Sequence, residues 1–335
     1  MKYLATSVIG LSKNAGKTSL LNLLIEKYQQ QKKIIGLASI GVDGEEKDVW
    51  SGKEKIPIYV PEKTIIVTTS DALNTGSASL KILDKFAESS SLGTIYLAEV
   101  IEPGTVKLLG TPTINNILDA FKLFQQYGAN QFLVDGAYDR FSNADPALTD
   151  QTYIVVGASL HSDYNYFWQK VEEKLSKFFY QRVMDNQLLT KAENHHDGQT
   201  VLIMKDNKWQ KFPISSLYYN TDILQGNIQS MILAGVLTDS LLEKMLRQNK
   251  AWIIILKNGL KSFASPKLLK LWEANGGALL VTDPVKVKGI AINPSAPDGY
   301  SFNSSDMKER LQIMLKRLNQ PHIPVFDIWR DDIEL

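Results

Sequence analysis

The 335-residue chain contains no cysteine and only 4 histidines. The first absence excludes disulfides, thiolate metal sites and cysteine nucleophiles. The second leaves little imidazole for a metal centre. An excess of charge is missing too, since 37 Lys and Arg face 36 Asp and Glu for a formal net charge of +1. Basic residues are scattered, with Lys32-Lys33 the longest cluster, so the electrostatic footprint of a nucleic-acid binder is absent. Apolar runs are strand-sized, as in Trp252–Leu256, whereas a bilayer span takes about 20 apolar residues. The first ten residues carry one Lys and a short apolar run leading into a glycine loop. A secretory leader needs a longer apolar core and a small-residue cleavage site. The expectation is a soluble cytoplasmic protein with no membrane and no nucleic-acid partner.

What is present has globular proportions. Apolar residues make up 44% and charged residues 22% of the chain, enough for a sizeable core. Strand-like runs alternate with helical patterns, which predicts an α/β fold with a mostly parallel sheet flanked by helices. In the first half, strands are expected at Tyr3–Ile9, Ile34–Ile40, Lys63–Thr68, Thr94–Val100, Gln131–Val134 and Tyr153–Ala158. Helices are expected at Lys17–Gln30, where Leu20, Leu21, Leu23, Leu24 and Tyr28 form an apolar stripe, and at Asn115–Tyr127 and Tyr164–Met184. The polar stretch Thr190–Gln199 is the best linker. The implied division is a nucleotide-binding domain over 1–188, a linker over 189–199 and an α/β C-terminal domain over 200–335. That last domain either extends the first sheet or forms its own. Its strands are expected at Thr200–Met204, Ala251–Leu256, Ala278–Val281, Gly289–Ile292 and Ile323–Phe326. Its helices are expected at Ser240–Gln248, Pro266–Ala274 and Ser304–Leu318.

The chemistry concentrates where the first strand ends. Gly10-Leu11-Ser12-Lys13-Asn14-Ala15-Gly16-Lys17-Thr18-Ser19 passes directly from strand to helix, the context a phosphate-binding loop requires. Gly16 lets the backbone approach phosphate oxygens where a side chain would clash. Successive N–H groups and the positive end of the helix favour a polyanion. Lys17 is placed to reach the β- and γ-phosphates, and Thr18 to put its hydroxyl on Mg²⁺. Gly10, Lys13, Asn14, Ala15, Gly16, Lys17, Thr18 and Ser19 are therefore the expected contacts of a purine nucleoside triphosphate. The usual spacing would put the first glycine at position 11, which is Leu11. Gly10 stands one residue earlier. This variant resembles the loops of dethiobiotin synthetase and cobyrinate amidase-type enzymes, in the class of P-loop proteins that includes MinD and the signal-recognition GTPases.

A loop of this kind needs a carboxylate near the metal. Asp135 ends the Gln131–Val134 run and precedes Gly136, so it would point into the crevice at the carboxyl end of a parallel strand. The alternative is a turn Asp. Asp43, after the second strand in Ile40-Gly41-Val42-Asp43-Gly44, is the other candidate, because in this class an acid there meets magnesium or the attacking group; an ordinary Asp-Gly turn competes with it. Glu45 and Asp48 are weaker. Arg140, beside Asp139, suits either phosphate or a surface ion pair. His195-His196-Asp197 lacks spaced partner ligands and reads as a polar surface segment. In dethiobiotin synthetase-like folds an Asn after a late strand contacts adenine, which points to Asn293, against a plain Asn-Pro turn. No Asn-Lys-x-Asp guanine signature appears, so ATP is favoured over GTP.

Gly-Leu-Ser-Lys-Asn-Ala-Gly-Lys-Thr at Gly10–Thr18, Ser-Ile-Gly-Val-Asp-Gly-Glu at Ser39–Glu45, Leu-Val-Asp-Gly-Ala-Tyr-Asp-Arg at Leu133–Arg140 and Asn-Pro-Ser-Ala-Pro-Asp-Gly at Asn293–Gly299 form an ordered set. This set resembles the small subunit of the lysine 5,6-aminomutase reactivase of anaerobic lysine fermenters, over most of the chain. The resemblance implies a nucleotide-binding subunit that works with a larger MutS-like ATPase. Together they would use ATP and Mg²⁺ to help exchange damaged cobalamin in a cobalamin-dependent aminomutase. In that role Lys17, Asp43 and Asp135 would serve nucleotide chemistry, and Thr18, Asp43 and Asp135 the metal. Two other readings stay open. One is an ATP-dependent ligase of the dethiobiotin synthetase type, with Lys13 helping to bind phosphates. The other is a structural subunit.

Overall fold

The computed structural model describes residues 3–40, 56–89, 93–108, 114–136, 141–195, 197–248 and 250–332. The strands are β1 (Leu4–Gly10), β2 (Ile35–Ile40), β3 (Ile58–Val60), β4 (Ile65–Thr69), β5 (Ser79–Ser89), β6 (Gly93–Glu102), β7 (Gly104–Val106), β8 (Gln131–Gly136), β9 (Gln151–Gly157), β10 (Thr200–Lys205), β11 (Lys208–Pro213), β12 (Ile228–Leu233), β13 (Ile253–Leu256), β14 (Ala278–Val281), β15 (Val287–Asn293) and β16 (Val325–Asp327). The helices are α1 (Lys17–Gln30), α2 (Ile114–Gln126), α3 (Tyr164–Leu175), α4 (Asn186–Glu193), α5 (Ser216–Tyr219), α6 (Asp239–Leu246), α7 (Pro266–Ala274) and α8 (Ser304–Arg317). The chain is mixed α/β and divides into two compact units. One comprises 1–171 with 286–335, the other 172–285.

In the first unit a nine-stranded sheet runs β16-β15-β9-β1-β8-β2-β4-β6-β5. Pairing is parallel from β16 to β4, and β6 and β5 close one edge antiparallel. The central strands are apolar on both faces, as sheets covered on both sides require. β1 is buried at every position after Leu4. Parity along each strand assigns the faces. Ala5, Phe132 and Val134 pack with Phe121 and Phe124 of α2. Val8, Leu133, Tyr153, Val155 and Ala291 pack with Leu20, Leu21 and Leu24 of α1.

The second unit carries a five-stranded sheet, β11-β10-β12-β13-β14, antiparallel across β11-β10-β12 and parallel across β12-β13-β14. Alternation again splits its core. Val201, Met231, Leu233, Ile254 and Leu256 join Leu241, Leu242, Met245 and Trp272 on one face. Leu202, Ile232 and Ile255 join Val183 and Ala192 on the other.

Two sequence expectations change here. The division at 189–199 does not describe the chain. Residues 186–193 form α4 inside the second unit, and β15 and β16 return to the first sheet beside β9. The helix expected to reach Met184 ends at Leu175 and gives way to a short 3₁₀ turn at Ser176–Phe178. The backbone then pairs with β14: the Val183 N–H donates to the Val281 carbonyl and the Val281 N–H to the Gln181 carbonyl, both at 2.9 Å. Tertiary pairing has overridden a helical apolar spacing.

Candidate functional site

The same parity that builds the α1 face places the site. Gly10, Asp135, Gly157 and Asn293 each lie two residues beyond a strand residue packed on α1: Val8, Leu133, Val155 and Ala291. They lie at the carboxyl ends of adjacent strands, where Val8 pairs with Asp135, Gly10 with Val155 and Asn293 with Gly157. Four segments separated by up to 283 positions (Gly10 to Asn293) thus meet around one loop.

The loop takes a backbone path that few side chains permit. Asn14 and Gly16 are left-handed, at φ 58° and φ 106°; Asn tolerates that region, and Gly enters it freely. Gly16 caps α1 and has no side chain of its own to bond the first-turn N–H groups that a helix leaves unpaired. Packing pins the loop from below. Ala15 is buried, and a Cβ at Gly157 would lie 2.5 Å from the Ala15 Cα. The Leu11 N–H donates to the Val155 carbonyl at 3.0 Å. The Ser159 hydroxyl bonds the Lys13 carbonyl and the Ser12 hydroxyl, each at 2.9 Å.

Lys17 reaches across the loop to donate its ammonium to the Gly136 carbonyl, next to Asp135. Asn143, which is fully buried, donates its Nδ2 to the neighbouring Asp135 carbonyl at 3.5 Å. A Cβ at Gly136 would sit 2.2 Å from the Asn143 Nδ2. Thr18 is half-buried at the start of α1. The Ser19 hydroxyl oxygen is buried and finds no hydrogen-bond partner among the described residues. On the far side, a Cβ at Gly16 would lie 2.8 Å from the Ile328 Cδ1 and 3.1 Å from the Asn293 Nδ2. The Asn293 Oδ1 accepts from the Trp329 indole N–H at 3.2 Å and the Ser295 N–H at 3.3 Å.

The structure therefore brings together Gly10, Lys13, Asn14, Ala15, Gly16, Lys17, Thr18, Ser19, Asp135 and Asn293. Asp43, Glu45, Asp48, Asp139 and Arg140 lie outside the described residues. His195 and Asp197 belong to the second unit, and His196 lies outside the described residues. There the Asp197 carboxylate accepts from the Gln199 and Thr200 N–H groups at 3.0 and 2.9 Å and pairs with Lys211 at 3.1 Å. These contacts, with the Thr200 hydroxyl bond foremost, hold its carboxyl below the ordinary range. Its work is to turn the chain into β10. Sequence reading missed Asn143, Gly157, Ser159, Ile328 and Trp329. None carries a motif, and each matters through where its strand ends.

The residues fit a triphosphate with magnesium. A left-handed glycine, the first-turn amides of α1, an ammonium and a buried hydroxyl all border one loop. Among the described residues, no group of three His, Asp or Glu could hold a metal ion alone. Thr18 and Asp135 would hold Mg²⁺ together with phosphate oxygens, the mode Mg²⁺ usually adopts. No helix among the described residues is long and apolar enough to cross a membrane. No family model, curated protein or solved structure matches the chain.

Proposed function

We propose that the chain binds a purine nucleoside triphosphate with Mg²⁺ at Gly10–Ser19, and that it is the nucleotide-binding subunit of an ATP-dependent reactivase for a cobalamin-dependent aminomutase. The observation that carries the first part is the convergence of the Gly16 turn, the Lys17 ammonium and the Asp135-Gly136 end of β8, where Lys17 bonds the Gly136 carbonyl. Amide hydrogens of the first turn of α1 bind phosphate oxygens, and the ammonium of Lys17 leaves the Gly136 carbonyl to neutralise terminal phosphate charge. Mg²⁺ would supply neutralisation of the phosphate charge, and Thr18 and Asp135 would hold it.

The second part is supported by the ordered set of segments that resembles the reactivase small subunit. The first of them is this loop, and Gly136 and Asn293 of two others border it. A reactivase needs two states that differ in affinity for a partner, and contacts to a γ-phosphate are a known means of setting such a difference.

Calorimetry with Mg·ATP tests the first part. Lys17→Ala is expected to weaken binding about 10- to 100-fold, as loss of a charge-assisted hydrogen bond implies; unchanged affinity would sink it. For the second part, the purified chain is mixed with the MutS-like ATPase subunit and a lysine 5,6-aminomutase carrying inactivated cobalamin. Mg·ATP-dependent recovery of mutase activity is expected. No recovery, with turnover of a carboxylic acid by the chain alone, would favour a dethiobiotin synthetase-type ligase instead.

A further inference from the structure

Trp329 is 60% exposed, yet its position is fixed. Its main-chain N–H donates to the Asp327 carboxylate at 2.9 Å, and its indole N–H donates to the Asn293 Oδ1 at 3.2 Å. Asp327 is itself fully buried and accepts from the Ser304 hydroxyl at 2.5 Å. The preceding residue, Ile328, is buried in the α1 core and donates its N–H to the Ile292 carbonyl at 3.2 Å. The Ile328 and Asn293 side chains both border Gly16. A broad aromatic surface is thereby anchored next to the phosphate loop and left open to solvent.

Isolated exposed aromatics are ordinary and need no function. This one differs in being held by a side-chain hydrogen bond whose partner touches the loop glycine. The acceptor of Asn293 is committed to Trp329 and Ser295. Asn293 therefore orients the indole, and its amide oxygen is not free to read a base edge. We propose that Trp329 is the platform on which the purine of the bound nucleotide stacks. Asn293 is a positioning residue for it. The inference rests on the phosphate-loop reading and adds how the base is held. A stacking face accepts any purine, so ATP and GTP should depend on Trp329 alike.

Three probes separate this inference from the reading beneath it: Mg·ATP, Mg·GTP and Mg·tripolyphosphate, titrated calorimetrically into the full chain. Trp329→Ala is expected to weaken both nucleotides about tenfold, within the range of base–aromatic stacking, and to leave tripolyphosphate within about twofold. Trp329→Phe, which keeps a ring but no indole N–H, should recover most of the nucleotide affinity. Wild-type nucleotide affinity in Trp329→Ala would overturn the platform while leaving the phosphate loop intact. An equal loss for tripolyphosphate would overturn it as well, since Trp329 would then merely support the loop. A wild-type chain that bound none of the three would remove both claims.

Discussion

Gly16 shows most plainly how one residue type makes this site. Two costs oppose any side chain there, the left-handed φ of 106° and a Cβ only 2.8 Å from the Ile328 Cδ1. Gly299 shares the first cost, with φ 91°, but has nothing within 4 Å. Urea unfolding should therefore show Gly16→Ala destabilising the chain by about 1–3 kcal/mol, and Gly299→Ala by only about 1 kcal/mol. Equal losses would mean that packing against Ile328 and Asn293 does not constrain the loop. Gly16 was legible as a phosphate-loop glycine from its neighbours Lys17 and Thr18. Its packing partners were not, because they come from strands that end near position 293 and position 327.

At the scale of elements, the turn after β16 closes the site by ion pairing. The Asp331 carboxylate accepts from the Asp327 N–H at 2.7 Å and pairs with Lys308 of α8 at 3.0 Å, while Asp332 pairs with Lys27 of α1. The Asp327 amide, with Lys308 behind it, holds the Asp331 carboxyl below the usual carboxylate range. A depressed folded-state value contributes stability above the unfolded value, about pH 4, and loses it as pH falls through the folded one. Wild type should thus exceed Asp331→Asn in stability at about pH 6, with the gap closing below about pH 4. A gap unchanged down to about pH 2 would contradict the assignment.

Elements also differed in how well they could be read. α1 was legible to its end residues because Leu20, Leu21, Leu23, Leu24 and Tyr28 form an apolar stripe at helical spacing. β5 was not. It is an edge strand bearing Lys81, Asp84 and Lys85, and its pairing with β6 shifts register three times. Charge guards such an edge, and each bulge breaks the period of two that marks a strand.

For the whole molecule, the two units carry separate cores, and each should respond to its own packing. Trp272 is fully buried in the second unit, edge-on to Trp252 at 5.0 Å, and a Cβ at Gly277 would lie 2.2 Å from its Nε1. Trp272→Ala should cost about 3–5 kcal/mol by leaving a cavity. Amide exchange should then quicken in β12, β13 and β14 while β1, β8 and β9 keep their protection. Equal quickening in both units would show that they unfold as one.

By itself the sequence determined the local features: the α/β alternation, the glycine loop between β1 and α1, and Asp135 at a strand end. Each depends on residues within one or two turns or strands of one another, where spacing is the signal. Only the tertiary structure decided that residues 286–335 rejoin the first sheet, that Asn293 and Ile328 border Gly16, and that Trp329 stands beside them. Those placements depend on hydrogen bonding between strands more than a hundred residues apart. Local periodicity carries no record of which strand a given edge will accept.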